Sequence, residues 1–568
     1  MFQQVDDPVG GSLALSALVA ALPLLTLFVL LGALRWKAWQ AGLASLIVAL
    51  AVAIFAFGMP AGQALLAASE GAAFGLFPII WIVLTAIWIF RLTELTGYDL
   101  VLRRSFGSLS ADQRIQAIII AFCFGALLEA LAGFGAPVAI TGVMLMAIGF
   151  SALRAASVVL LANTAPVAFG AIAIPIITAG NLTGIPYQEI GAYVGRQTPW
   201  LAMFVPLLLV LLVDGARGVR ETWPVALGVG LVFAVVQFVS SNYVSVELTD
   251  IIASLVALGA AVLILRVYQP RGGDEATRRL HDERDRDRLT PVAAGGGPGG
   301  ATATAVAAEE KTIVERPTHL NTGRIMMALL PYLIVIVIFS LAKLWDPLNT
   351  FLTGRDIKIP WPGLDGHVLN LAGKPSTTTV YNFQWLSSPG TLLLISGILT
   401  AAAYRVSAGK AIRQLGRTAH QLRFAFLTVA SVLALAYVMN LSGQTITIGT
   451  WIAGAGAAFA FLSPILGWLG TAVTGSDTSA NALFATLQKT AATQAGIDPT
   501  LMVAANTAGG VVGKMVSPQN LTIAATACGI VGRESDIFRR VILWSLGLLV
   551  VLCILIGLQS TVLSWMLP

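Results

Sequence analysis

Long apolar segments separated by short polar loops run through the whole chain. Segments of about 20 residues, such as residues 12–34, 38–57 and 541–563, have the length that a helix needs to cross a bilayer. Acidic residues precede the first segment and basic residues follow it, which places the start of the chain outside under the positive-inside rule. The pattern predicts an all-α polytopic membrane protein with about 12 to 14 transmembrane helices, one of them within residues 446–462.

Two regions depart from this pattern, residues 129–180 and residues 471–521, because both mix apolar runs with glycine, proline and polar side chains. In the first, Gly133, Phe134 and Gly135 interrupt an apolar run and predict a helix break or a re-entrant hairpin. The tetrapeptide Ala-Asn-Thr-Ala occurs at 162–165 and again at 505–508, followed at equal distances by glycine and proline. Repeated broken segments of this kind mark the binding sites of many transporters. We therefore expect two related halves.

A polar segment at residues 269–322 separates the two halves. It begins with mixed charge and continues as a run rich in glycine and alanine, with too few large apolar residues to build a core. We interpret it as a flexible cytoplasmic linker between an N-terminal transmembrane half (residues 1–268) and a C-terminal half (residues 323–568). A regulatory segment is the alternative.

Composition narrows the classes of function. Of the 568 residues, 57% are hydrophobic and 11% are charged, with a mean hydropathy of +0.83, whereas soluble domains carry roughly 25% charged residues. The net charge of +6 comes from basic residues in short loops, so the expected partner is the lipid bilayer and not nucleic acid. The sequence contains no metal-binding, nucleotide-binding or catalytic motif. We therefore predict that the protein is not an enzyme and has no cofactor. No feature of the sequence indicates an oligomeric state.

The broken regions carry side chains suited to hold a small polar anion. A broken helix exposes unpaired N–H groups and a partial positive charge at its N-terminal end, and such an end attracts a carboxylate. The alternative is that these hydroxyls and amides only cap helix ends or let helices pack closely. The predicted substrate contacts are Gly133, Phe134, Gly135, Asn163, Thr164, Ser476, Thr478, Ser479, Asn481, Asn506, Thr507, Lys514, Ser517 and Gln519.

Three charged residues, Glu129, Asp477 and Lys514, lie deep in apolar sequence. A carboxylate inside a membrane bundle is costly and usually functional, so we predict that either Glu129 or Asp477 binds and releases a coupling proton. The alternative for each acid is a structural hydrogen bond to a neighbouring amide. Lys514 is either the counter-charge for a substrate carboxylate or a side chain that reaches toward the membrane surface.

Together these segments resemble the lactate permease family. The resemblance covers nearly the whole chain outside the linker, and its motifs are specific only in combination. It rests on Gly133-Phe-Gly-Ala-Pro-Val-Ala-Ile140, Asn163-Thr-Ala-Pro-Val-Ala-Phe-Gly170, Val194-Gly-Arg-Gln197, Glu221-Thr-Trp-Pro224, Thr474-Gly-Ser-Asp-Thr-Ser479 with Asn481-Ala-Leu-Phe484, and Gly513-Lys-Met515 with Ser517-Pro-Gln519.

The resemblance implies a multi-pass transporter of the bacterial plasma (inner) membrane. Its substrates would be 2-hydroxy monocarboxylates, namely L-lactate, D-lactate and glycolate, carried in symport with protons. It also implies that the two halves form an inverted repeat and that a core of broken helices moves against a scaffold. A Na⁺-coupled carboxylate carrier is the alternative within transport, and an anion channel or a membrane sensor is the alternative from another class.

Overall fold

The computed structural model describes residues 1–34, 36–107, 109–133, 135–280, 322–371 and 373–568. Within these ranges, ten helices are long and apolar enough to cross a membrane. Their bounds are Leu13–Leu31, Ala38–Ala56, Ala61–Thr96, Gln113–Leu131, Thr198–Tyr243, Thr249–Val267, Thr322–Ala342, Arg423–Leu441, Gly456–Thr474 and Glu534–Gln559. The predicted all-α polytopic architecture is confirmed.

Shorter helices fill the broken regions and the loops. Four of them are apolar: Ala136–Ala147, Ala152–Ala162, Gly170–Thr183 and Pro389–Ala403. The others are Tyr98–Gly107, Tyr187–Val194, Asp346–Thr353, Ala408–Gln421, Gln444–Ala453, Asp477–Ala495, Pro499–Gly513 and Pro518–Ala527, with 3₁₀ turns at Thr377–Thr379, Gly456–Ala458, Lys514–Val516 and Ser564–Met566.

Two small sheets lie in the extramembrane part of the chain. Phe2–Gln3 pairs in parallel with Val368–Leu369, and Ile357–Pro360 pairs antiparallel with Val380–Phe383. The start of the chain is therefore held against the polar segment that follows the span Thr322–Ala342, on the face predicted to be outside.

Several helices are interrupted where the sequence disfavours regular helix. The span Thr198–Tyr243 breaks at Gly215, whose φ of 69° suits a residue without a side chain. The prediction of one continuous span within residues 446–462 is wrong. The helix Gln444–Ala453 ends before Gly454, and the next helix follows Gly456, which has a φ of +56°.

Each half contains a helical hairpin followed by a broken helix. The glycine and proline pattern predicted the interruptions in both halves, and a hairpin as one possibility in the first. In the first half the hairpin joins Gly125–Ala132 to Ala136–Ala147, and Ala152–Ala162 and Gly170–Thr183 form the broken helix. In the second half the hairpin joins Phe459–Thr474 to Asp477–Ala495 at Gly475, and Pro499–Gly513 and Pro518–Ala527 form the broken helix. The inverted relation between the halves stays a prediction.

Small residues allow close packing around the second hairpin. The helices Phe459–Thr474 and Pro499–Gly513 approach so closely that a Cβ at Gly467 would overlap the backbone carbonyl of Asn506. A Cβ at Gly509 would overlap the carbonyl of Pro464 in the same way. Membrane helices pack by such small residues because lipid offers no hydrophobic drive for them to associate.

Residues 281–321 of the predicted linker lie outside the described ranges. The segment before them is helical over residues 273–280. It contacts the N-terminal half through two ion pairs, Arg279 with Asp214 at 2.9 Å and Arg217 with Glu275 at 2.5 Å. The start of the linker is thus bound to the transmembrane half that precedes it.

Candidate functional site

A small polar cavity lies where the two broken regions meet. Its volume is about 50 Å³, and one water molecule needs about 10–15 Å³ on the same scale. The cavity therefore suits a few water molecules or a ligand with a similarly small number of non-hydrogen atoms. It is lined by Glu129, Gly133, Val167, Gly170, Ala171, Pro175, Gly475, Ser476, Asp477, Thr478, Lys514, Gln519 and Asn520.

A buried ion pair joins the two halves across this cavity. Lys514 Nζ donates to Glu129 Oε1 at 2.5 Å, although the two residues are 385 positions apart. Both are buried, Lys514 at 7% exposure and Glu129 at 3%. Among the described residues, the second oxygen of Glu129, Oε2, has no hydrogen-bond partner. The structure thus places Lys514 inside the cavity and not at a membrane surface.

Asp477 is the second carboxylate at the cavity. It is the first residue of the helix Asp477–Ala495, and its Oδ1 accepts a 3.5 Å hydrogen bond from Thr471 Oγ1. Gly510 allows this carboxylate to lie against the facing helix, because a Cβ at that position would overlap Oδ1. Oδ2 has no partner among the described residues. With all groups ionised, two carboxylates face one ammonium group and the cavity carries a formal charge of −1.

The N-terminal ends of two helices place partial positive charge on the side of the cavity that the second half forms. The helix Asp477–Ala495 begins at the N-cap Ser476, and the helix Pro518–Ala527 begins at the N-cap Ser517. Each cap serine accepts from a backbone N–H three residues on, at 3.3 Å. The first N–H groups of a helix have no acceptor within it, so both ends can receive a carboxylate. The hydroxyl caps predicted as an alternative are therefore present, and one of them, Ser476, lines the cavity.

Asn520 ties the two chain breaks of the second half together. Its Nδ2 donates to Gly475 O and Lys514 O at 3.3 Å, and to Ser517 Oγ at 2.8 Å. Asn520 lines the cavity but is missing from the predicted contacts. One feature of the sequence could have indicated Asn520 as a cavity residue. It lies two residues after Pro518, in the first turn of a helix that starts at a break.

On the facing side, the cavity is lined by Ala171, which begins a strained stretch of backbone. Ala171, Ile172 and Ala173 have φ values of 45°, 60° and 56°, in the left-handed region that residues with a side chain avoid. Each such residue costs roughly 1–2 kcal/mol. Gly170 lies so close to Glu129 that an added Cβ would be 3.0 Å from Oε1. Strain of this kind is concentrated at functional sites, where the surrounding structure holds it in place.

The structure brings only some of the predicted contacts to the cavity. Asn481 Oδ1 accepts from Asn506 Nδ2 at 2.9 Å and from Thr507 Oγ1 at 3.0 Å, in a buried network behind the cavity. The second Ala-Asn-Thr-Ala element lies inside the regular helix Pro499–Gly513, whereas the first runs from the end of Ala152–Ala162 into the break. The lining includes Gly133, Ser476, Thr478, Lys514 and Gln519, together with Glu129 and Asp477, but not Gly135, Asn163, Thr164, Ser479, Asn481, Asn506, Thr507 or Ser517. Phe134 lies outside the described residues.

The described residues hold no cluster of three or more His, Cys, Asp or Glu side chains that could bind a metal ion. The ionisable groups that line the cavity are Glu129, Asp477 and Lys514.

Comparison with known proteins places the whole chain in one family. The family model described as L-lactate permease matches residues 16–563. The L-lactate permease of Bacillus subtilis (strain 168) is 40% identical over 582 aligned positions, covering 100% of this chain and 99% of the relative. The glycolate permease GlcA of Escherichia coli (strain K12) is 42% identical over 574 positions, covering 99% of each chain.

A solved structure was also found. The YdaH transporter of Alcanivorax borkumensis aligns with 98% of this chain and 99% of its own, at 14% identity and a TM-score of 0.44. The family match and the ten candidate spans agree with a multi-pass protein of the bacterial inner membrane that is a permease and not an enzyme. The chain belongs to the L-lactate permease family.

Proposed function

We propose that this protein carries L-lactate and related 2-hydroxy monocarboxylates, such as D-lactate and glycolate, across the inner membrane in symport with a proton. Full-length relatives named L-lactate permease and glycolate permease support the substrate class. The observation that carries the coupling is the buried ion pair between Glu129 and Lys514, which lies at the cavity and connects the two halves.

The ion pair couples the proton to the substrate because both compete for the same charges. While Glu129 is ionised, it holds the ammonium group of Lys514 at 2.5 Å. A proton on Glu129 removes that negative charge and frees Lys514 to pair with the substrate carboxylate. One proton and one monocarboxylate together add no net charge to the cavity. The loaded site then has the same formal charge as the empty one, which limits the electrostatic cost of burying the anion.

The remaining polar groups of the cavity orient the substrate. The N-terminal end of the helix Asp477–Ala495 favours the carboxylate. Thr478 and Gln519 supply a hydroxyl and an amide beside it, and both line the cavity. A 2-hydroxy acid has a hydroxyl next to its carboxylate, so a neighbouring side chain that donates or accepts can distinguish it from an acid without that group.

The alternatives predict different responses to ion gradients. A Na⁺-coupled carrier would accumulate substrate in a sodium gradient, and a channel would equilibrate substrate without accumulation. The test is uptake of labelled L-lactate into liposomes that contain the purified protein, with an inward proton gradient or an inward sodium gradient. Accumulation that needs the proton gradient, stops on addition of an uncoupler and is competed by glycolate supports the proposal. Accumulation driven only by sodium, or no accumulation above equilibrium, refutes it.

A further inference from the structure

A second buried acid, Asp250, lies close to the cavity without lining it. It is in the first turn of the helix Thr249–Val267, has 0% exposure, and its Oδ1 accepts a 2.9 Å hydrogen bond from Gln237 Nε2. Among the described residues, Asp250 Oδ2 and Gln237 Oε1 have no partner. A buried acid in a membrane bundle is costly unless it serves a function, and the proposed contacts with substrate do not use this one.

Asp250 is connected to the broken helix of the first half. Gln237 Nε2 also donates to the carbonyl oxygen of Ala165 at 3.3 Å, and Ala165 lies in the break between Ala152–Ala162 and Gly170–Thr183. In the same break, Asn163 Oδ1 is buried and has no partner among the described residues. The helix that carries Asp250 packs against Gly125–Ala132, which carries Glu129, so the two buried carboxylates lie on adjacent helices.

Asp250 is also close to a large polar cavity on the face predicted to be outside. This outer vestibule has a volume of about 550 Å³, and its lining includes Tyr187, Ser245 and Glu247. Glu247 precedes Asp250 by three residues, accepting from Tyr187 Oη at 2.7 Å and from Ser245 Oγ at 2.8 Å. Acidic groups therefore follow one another from the vestibule to the substrate cavity.

We propose that Glu247 and Asp250 form a path for protons from the outer vestibule to Glu129. This inference rests on the proposed proton symport and adds the route by which the proton arrives. In the last step, protonated Asp250 gives its proton to ionised Glu129, so Asp250 becomes a carboxylate and Glu129 a neutral acid. The released negative charge on Asp250 is stabilised by Gln237 Nε2. No other reactant is needed.

Among the described residues, few charged groups lie on the elements that pack against the helix of Asp250. From its neighbours in the fold, Glu129 faces it on the helix Gly125–Ala132 and Glu247 precedes it in the connecting turn. The long helix Thr198–Tyr243 contributes Gln237, and its nearest acid along the helix, Glu221, is 16 residues or about 24 Å away. On the helix Thr322–Leu344, Arg324 is in the first turn. Among the side chains that the structure describes, the titratable neighbours of Asp250 are thus the acids Glu129 and Glu247.

The test separates net proton-driven uptake from exchange. Liposomes would contain the full-length protein, as wild type, as Asp250→Asn, or as the exposed control Asp346→Asn. One assay measures the initial rate of labelled L-lactate accumulation under an inward proton gradient. The other measures exchange of labelled for unlabelled L-lactate at equal pH on both sides, which requires no net movement of protons. A variant that only blocks proton supply affects the first assay and spares the second.

For Asp250→Asn we expect proton-driven accumulation to slow about tenfold or more, with exchange within about twofold of wild type, while Asp346→Asn leaves both unchanged. Wild-type accumulation in Asp250→Asn overturns the inference, and so does a parallel loss of accumulation and exchange, which would indicate a structural role. If Asp250→Asn does not fold, Glu247→Gln decides by the same two assays. Failure of wild type to accumulate in a proton gradient refutes the proposed symport itself, which distinguishes the two failures.

Discussion

Of the described residues that line the substrate cavity, only Lys514 is basic. Removing one member of a buried charge pair costs about 2–5 kcal/mol in binding, so we expect Lys514→Met to weaken L-lactate binding by roughly 30-fold or more. The change also leaves Glu129 buried without its partner, which destabilises the fold. The double variant Glu129→Gln with Lys514→Met removes that penalty and serves as the matched control. Binding to the purified protein checks this: wild-type affinity in the double variant would show that Lys514 does not hold the substrate.

The two cavity acids differ in their partners, and this predicts different effects on transport when each acid is replaced by its amide. Glu129 pairs with Lys514, whereas Asp477 has a 3.5 Å hydrogen bond from Thr471. We expect Asp477→Asn to keep accumulation driven by a pH gradient, at a level within about threefold of wild type, because the coupling pair is intact. Glu129→Gln is the equivalent change from a carboxylate to an amide, and it should abolish accumulation. The reverse result in liposome uptake would assign the coupling proton to Asp477.

At the scale of single residues, the sequence predicted some features of the candidate site and did not predict others. Apolar surroundings alone indicated Glu129, Asp477 and Lys514 as candidates for a function, since such charges are costly in a membrane bundle, and all three line the cavity. Their pairing could not be predicted, because Glu129 and Lys514 are 385 positions apart and no local pattern connects them. The sequence pattern does not indicate Asp250, because this residue follows a polar turn at the predicted edge of a span.

At the scale of helices, the glycines between Phe459–Thr474 and Pro499–Gly513 set the shape of the second half. A Cβ at Gly509 would overlap the backbone of Pro464, which cannot move as a flexible side chain could. We expect Gly509→Ala to destabilise the protein by about 1–3 kcal/mol. The control Gly547→Ala, which meets no atom within 4 Å in the helix Glu534–Gln559, should be neutral or slightly stabilising. Thermal unfolding in detergent measures both, and equal melting temperatures would contradict the close approach.

Breaks in helices were largely predictable, but the function of repeated motifs was not. Gly133, Gly135 and Gly475 all adopt positive φ, so glycine marked the hairpin turns as expected. The repeated Ala-Asn-Thr-Ala element was a weaker guide. In the second half its polar side chains bond to Asn481 within the helix packing, away from the cavity. A repeat in sequence therefore identified related segments without identifying equivalent contacts.

At the scale of the whole molecule, a charged cluster on the face predicted to be cytoplasmic joins distant segments. Arg114 has 0% side-chain exposure and pairs with Asp112 at 2.8 Å, Asp214 at 3.1 Å and Glu221 at 2.6 Å. Its Nη2 also donates to the carbonyl of Arg271 at 2.8 Å, at the start of the linker. These contacts hold together the start of the span Gln113–Leu131, the turn at Gly215 and the chain that leaves the first half.

We expect Arg114→Met to destabilise the protein by about 3–5 kcal/mol, because it leaves Asp112 without its ion-pair partner and leaves Asp214 and Glu221 with only the exposed Arg279 and Arg217. Arg217 offers a matched control on the same cluster. It is 55% exposed and pairs with Glu221 and Glu275, so Arg217→Gln should cost no more than about 1 kcal/mol. Similar losses of thermal stability in the two variants would show that burial of Arg114 is not what makes the cluster important.

Across the whole molecule, the central claim is that a proton on Glu129 frees Lys514 for the substrate carboxylate. The most direct measurement is the affinity of the purified protein for L-lactate as a function of pH, in wild type and in Glu129→Gln, over a range in which the substrate stays ionised. If binding takes up one proton, wild-type affinity falls about tenfold per pH unit once Glu129 is ionised in the empty protein. In Glu129→Gln, Lys514 is never paired with that residue, so affinity should be high and independent of pH. A wild-type affinity that does not change with pH, or a Glu129→Gln variant with the same pH dependence as wild type, would contradict the claim.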